Sequence, residues 1–230
     1  MRRIGILGGM SWESTALYYR LLNEGVRDRL GGLHSADLIL RSLDFADVEG
    51  HFDADDWDGL GATLAAEALA LQDQGAELLL IATNTVHRVA DQIERDLGIP
   101  LVHIADAVGR TAAASGRHTA GLLGTHFTMT QPFYAERLAR HGVATLVPEA
   151  EQRDLVDAII FDELVLGRFT EESRQYVCSV AADLAEQGAD CIVLGCTELE
   201  LLVTGDDIPV DVIPSTAVHV RAGLDLALEA

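Results

Sequence analysis

The sequence predicts an α/β protein of two pseudo-symmetric domains, each a parallel sheet flanked by helices. Three observations lead there. Strand-length apolar runs alternate with longer segments whose apolar residues recur three or four apart. The run AELLLIA (76–82) holds an unbroken apolar stretch, as a parallel strand buried on both faces requires. The landmarks of the first half also return in the second half, in the same order.

Along the chain, RRIGILGG (2–9) reads as a first strand that runs into a glycine pair. WESTALYYRLLNEGVRDRL follows with helical spacing, and SADLILRSLDF (35–45) reads as a second strand. LGATLAAEALALQDQG (60–75) is helical and rich in Ala and Leu, both strong helix formers. After AELLLIA, the segment VHRVADQIERDL reads as a helix, and IPLVHIA (99–105) as a strand entered through Pro100. This β-α-β-α order is that of a parallel sheet covered by helices.

The internal repeat sharpens the picture. IGILGG (4–9) returns as AGLLGT (120–125), and Tyr18 returns as Tyr134, each 116 residues later. DQGAELLLIATNT (73–85) returns as EQGADCIVLGCTE (186–198), 113 residues later. IPLVHIADA (99–107) is matched by IPVDVIPSTA (208–217). The expected domains are residues 1–112 and 113–230, divided within the Gly109–Gly116 stretch, with terminal segments free to cross between them. No low-complexity linker separates them, so the active site is expected in the cleft where the two domains face each other.

Composition excludes several functions. Apolar residues make up 49% of the 230, ample for a core, and a net charge of -21 works against a nucleic-acid partner. The same charge repels acidic ligands at long range, so an anionic substrate needs a donor-rich pocket. The apolar stretch in MRRIGILGGMSWES has strand length and runs into Gly-Gly, unlike a targeting segment, and no run is long enough for a membrane span. Three cysteines, Cys178, Cys191 and Cys196, are too few and odd in number for a disulfide framework, and they lack metal-ligand spacing. The expectation is a reduced, cytoplasmic protein acting on a small molecule, with no metal and no nucleic-acid or membrane partner.

The chemistry concentrates at two strand ends. Thr83 in IATNTVH and Cys196 in GCTELELL occupy equivalent places in the repeat, each ending a buried strand just before a helix start. Open α/β sheets bind ligands at that edge. Asn84 and Thr85, and likewise Thr197 and Glu198, can cap the following helices and leave amides for an anion. A helix N-terminus also favours a thiolate, so the Cys196 pKa is expected below its usual value. Two proton carriers on opposite faces of one carbon are what inversion of a stereocentre requires.

These motifs, ATNTVH and GCTELELL with GGMSWEST at the start, resemble the cofactor-independent aspartate/glutamate racemase family over essentially the whole chain. The family usually carries cysteine at both strand ends; here Thr83 replaces the first, while Asn84, Thr85, Cys196, Thr197 and Glu198 match. The resemblance implies a two-domain α/β fold, commonly a homodimer, using neither pyridoxal phosphate nor metal. It is closest to a subgroup acting on L-aspartate and L-glutamate through a Thr/Cys pair. A threonine hydroxyl is a poor base, so the substitution implies a direction-biased enzyme: Cys196 deprotonates one enantiomer and the proton returns from the Thr83 side. Glu198 then orients or tunes the thiol, and Arg168 matches a basic position that can hold the distal carboxylate.

Each assignment has a plainer alternative. Cys196 could be a small core filler and Thr83 only a helix cap. In GGMSWEST the glycines admit a ligand close to the backbone, with Met10 and Ser11 lining it; the pattern is too short for a dinucleotide fingerprint. Thr125 and His126 fall on the same rim in the second repeat, where His126 is either a carboxylate contact or a surface histidine. Arg168, and more weakly Arg41, are carboxylate ligands or solvated arginines. His87 is a supporting partner of Thr83 or an ordinary first-turn residue, while His103 and His219 read as structural. Rival functions are a one-cysteine decarboxylase or isomerase, and a non-catalytic amino-acid-binding protein.

Overall fold

The computed structural model describes residues 1–229. Its elements run β1 (Ile4–Gly8), α1 (Trp12–Leu30), β2 (Leu38–Ser42), α2 (Phe45–Asp53), α3 (Trp57–Asp73), β3 (Leu78–Ile81), α4 (Ala90–Glu94) and α5 (Ile104–Ala114). Then follow β4 (Thr119–Gly124), α6 (His126–Thr130), α7 (Pro132–Arg140), β5 (Ala144–Leu146), α8 (Ala150–Asp162), α9 (Glu171–Glu186), β6 (Cys191–Gly195), α10 (Thr197–Leu202), β7 (Asp211–Pro214) and α11 (Ser215–Leu228). Two parallel sheets result, ordered β2-β1-β3 and β5-β4-β6-β7. The expected α/β class with two helix-flanked parallel sheets is the one observed. Among the described residues no helix is long and apolar enough to cross a membrane.

Strands β1, β3, β4 and β6 are buried almost throughout, while β2 is largely exposed. In β4, Ala120 and Leu122 join a core with Ile104, Val108, Tyr134 and Leu138, while Leu123 points into another with Val177 and Leu184. In β6, Cys191 and Val193 take the first side, Ile192 and Leu194 the second. The period-2 alternation of a strand produces this split. In the first sheet Ile4, Ile6, Leu78 and Leu80 face Tyr18, Leu22 and Val26 of α1 and Val220 and Leu224 of α11. Helix α3 buries Leu60, Leu64, Ala68 and Leu71, a stripe at helical spacing.

The repeat is structural. The strand pairs Leu7 with Ile81 and Leu123 with Leu194 place equivalent residues side by side in the two sheets. The compact units are Met1–His103 with the segment from His219, and Ile104–Val218. The division therefore falls before α5 rather than at 112/113. The reason is packing: Ile104, Ala105, Val108 and Ala112 bury against β4 and α7.

Three local expectations change. The strand expected at 99–105 shrinks to one bridge, Leu79 to Leu101, since Pro100 lacks an amide and α5 starts at Ile104. The helix expected from Val86 begins instead as a 3-10 turn, Thr85–Val89. The second strand, expected over 35–45, covers only Leu38–Ser42, and the Asp44 side chain caps α2 from Phe45 onward.

Gly9, just beyond β1, has φ +92°, and a Cβ there would lie 2.2 Å from the Leu43 carbonyl oxygen. Left-handed backbone and a backbone obstacle together forbid a side chain. Gly9→Ala is expected to lose more than about 2 kcal/mol of stability, read as a lowered urea midpoint with unchanged slope. An unaltered midpoint would show that this loop is looser than described.

Candidate active site

Residues after β1 and β3 meet at the C-terminal edge of the first sheet. Met10, Ser11, Asn84 and Thr85 are buried there, and Thr83 is partly exposed. The Met10–Ser11 peptide is cis. Ser11 caps α1, its hydroxyl accepting from the Ser14 amide at 3.2 Å. The Thr15 hydroxyl accepts from the Gly9 amide at 2.7 Å and donates to the Ser11 carbonyl at 2.9 Å. Ser14 donates to the Ala82 carbonyl at 2.8 Å, tying the first loop to the residue before Thr83. The Thr83 carbonyl in turn accepts from His87 Nδ1 at 2.8 Å.

In the second sheet the matching edge holds Thr125 after β4, and Cys196, Thr197 and Glu198 after β6. Thr125 caps α6 and Cys196 occupies the N-cap position of α10. The Thr197 hydroxyl accepts from Thr216 at 3.2 Å. Cys196 is 7% exposed, and its Sγ donates to Glu198 Oε2 at 3.0 Å.

That contact corrects one expectation. The Cys196 thiol is pushed well above its usual value, first by burial and then by the Glu198 carboxylate. The amides of Glu198 and Leu199 do favour a thiolate, but a six-residue helix start cannot offset desolvation plus a neighbouring anion. At rest the thiol therefore keeps its proton and donates it in a hydrogen bond to the Glu198 carboxylate. Burial also raises Cys178, and pushes Cys191, which lies inside β6, up to about 12.

Of the remaining candidates, Arg168 lies away from the strand edges. Arg168 is exposed and donates to the Asp162 carbonyl at the end of α8. The His126 amide donates to Asp157 at 2.6 Å, while its ring is half-exposed 3.7 Å from Asp154. Arg41 is held by Glu67 in a two-pronged pair at 2.7 and 2.9 Å. Among the described residues no group of three or more His, Cys, Asp or Glu is arranged to hold a metal ion.

The sequence reading missed Ser14, Thr15 and Glu200. Glu200 stands 113 residues after His87, so the repeat itself carried the signal. Its carboxyl accepts from the Thr216 amide at 2.7 Å and the Ser215 hydroxyl at 3.3 Å, capping the start of α11. Burial raises it to about 7 despite these donors.

The model of the Asp/Glu/Hydantoin racemase family matches residues 7–223. This chain belongs to that family. A putative Asp/Glu racemase from Yersinia pestis is 44% identical, with all of both chains aligned and a TM-score of 0.93. An aspartate racemase homologue from Pyrococcus horikoshii OT3 is 34% identical, again over all of both chains, with a TM-score of 0.86. A glutamate racemase of Pseudomonas entomophila (strain L48) is 32% identical over 146 residues, 62% of this chain and 54% of that protein. The chain spans about half the length of such curated relatives.

Two outcomes follow for this family member. Cys196 should alkylate slowly with iodoacetamide at pH 8, and Glu198→Gln should speed it several-fold by removing the adjacent anion, as read by peptide mass. Glu200 holds its proton more tightly folded than unfolded, so its contribution to stability is complete below its ordinary value of 4.5 and lost as pH rises through about 7. Urea unfolding of Glu200→Gln against the parent across that window should show a difference growing to about 3 kcal/mol.

Proposed function

We propose that this chain racemises an acidic amino acid, aspartate or glutamate, without a cofactor, and that Cys196 and Thr83 are its two proton carriers. The observation that carries the reading is the 3.0 Å contact between Cys196 Sγ and Glu198 Oε2. A thiol is useless as a base until its proton leaves, and Glu198 is in place to take it. The thiolate then removes the α-proton, leaving a carbanion delocalised into the α-carboxylate. Asn84, Thr85 and Thr197, with the amides beside them, receive that carboxylate.

Reprotonation from the Thr83 side inverts the centre. A hydroxyl gives a proton to a carbanion far more readily than it takes one from an α-carbon, so the reaction is direction-biased; the resemblance to the Thr/Cys subgroup, rather than this chemistry, makes L the enantiomer we propose as substrate. Dependence on the carboxylate pair separates this reading from simple binding, which needs no movable thiol proton.

The test is α-hydrogen exchange in deuterated water with both enantiomers of Asp and Glu. Wild type should exchange the L forms faster, and Cys196→Ala should lose at least about a hundredfold, the usual scale for a positioned proton carrier. Thr83→Cys should narrow the gap between enantiomers. Equal wild-type exchange of D and L would sink the directional claim, and full activity in Cys196→Ala would sink the whole reading.

A further inference from the structure

Four buried side chains beneath Thr83 have no part in the chemistry so far. They are Tyr18 of α1, His87 of the 3-10 turn, His103 before α5 and His219 of α11, all at most 4% exposed. The His87 ring lies 4.6 Å from His103 and 5.6 Å from His219, centroid to centroid, both edge-on. His219 donates from Nε2 to the Val102 carbonyl at 2.6 Å and accepts from the Tyr18 hydroxyl at 2.8 Å.

The bonding around His87 is unusual for a helix start. In an α-helix the amide of His87 would bond the carbonyl four residues back, that of Thr83. Here the His87 amide bonds Asn84 at 3.1 Å instead, and the ring Nδ1 takes the Thr83 carbonyl at 2.8 Å. The preceding carbonyl, that of Ala82, is held by Ser14. Two consecutive carbonyls at the strand end are therefore fixed by side chains from two different elements.

We infer that His87 is a positioning residue for Thr83: its Nδ1–H replaces the helical amide bond at the Thr83 carbonyl and sets the turn that holds Thr83 at the strand end. A carbonyl only accepts, so Nδ1 carries the hydrogen. Nε2 is buried with no hydrogen-bond partner. A second proton there would be a buried charge without an acceptor, facing His103 and His219. Burial first, and those two rings second, accordingly hold His87 well below its usual value of 6.5. The ring stays a one-hydrogen donor across the range in which a free histidine would switch, so the turn beneath Thr83 does not loosen on mild acidification.

The inference rests on Thr83 being a proton carrier, and the experiment separates the two. Nitrogen-15 spectra of histidine-labelled protein, with His87 assigned by its loss in His87→Asn, should show a single Nδ1–H tautomer unchanged from about pH 5.5 to 8.5. In the exchange assay, His87→Leu should lower kcat about tenfold or more with KM within about threefold, since it frees the Thr83 carbonyl for the helical bond. His87→Asn, whose amide can donate from the place of Nδ1–H, should stay within about threefold of wild type. A His87 ring that titrates near 6.5 overturns the inference whether or not His87→Leu folds. So does unchanged kcat in His87→Leu beside an impaired Thr83→Ala. Thr83→Ala with wild-type exchange instead sinks the proton-carrier reading, while the spectrum still decides the His87 bond.

Discussion

A parallel strand buried on both faces must hand its chain to the next element without stranding a polar backbone group. That constraint governs both strand edges of this protein. Where β3 ends, the carbonyls of Ala82 and Thr83 leave the sheet ladder, and Ser14 and His87 satisfy them. Where β1 ends, Thr15 serves the Gly9 amide and the Ser11 carbonyl. Ser14, Thr15 and His87, side chains outside the candidate binding residues, are thus the means of ending a buried strand.

The second edge obeys the same constraint with different electrostatics. Cys196 and Thr197 follow β6 into a short helix whose amides favour negative charge, yet the buried thiol keeps its proton. The contest is decided by magnitude: a helix terminus contributes at most about 2 kcal/mol, while withdrawing an unpaired anion from water costs several. The carboxylate of Glu198 adds to the same side. On the proposed reading, the reactive cysteine is one whose proton passes to Glu198 rather than one already ionised at rest.

Much of this was legible before any coordinates. The alternation of runs and the 116- and 113-residue offsets were enough for two parallel sheets, because periodicity and repetition survive in sequence. The strand-edge placement of Thr83, Asn84, Cys196 and Glu198 followed from the same offsets. What escaped depends on contacts across the chain: Ser14 and Thr15 read as ordinary first-turn residues, and nothing local marks them as ligands of Ala82 and Gly9. The 3-10 turn at Thr85 escaped because VHRVADQIERDL has helical spacing, while a side chain takes the bond that would have begun the helix. The Cys196 thiol was misjudged since a helix start is visible in sequence and the depth of burial is not. Arg168 kept its two readings, and its exposed place beside Asp162 is a matter of how α8 ends.

The Thr15 hydroxyl merits a last consequence. By bonding on both sides, to Gly9 and to Ser11, it restricts a loop that opens on a glycine and would otherwise sample more shapes. Ordering such a residue costs about 1–2 kcal/mol, and here that cost falls on folding rather than on the encounter with a ligand. The backbone on either side of Met10 is therefore tethered to α1 before any ligand arrives.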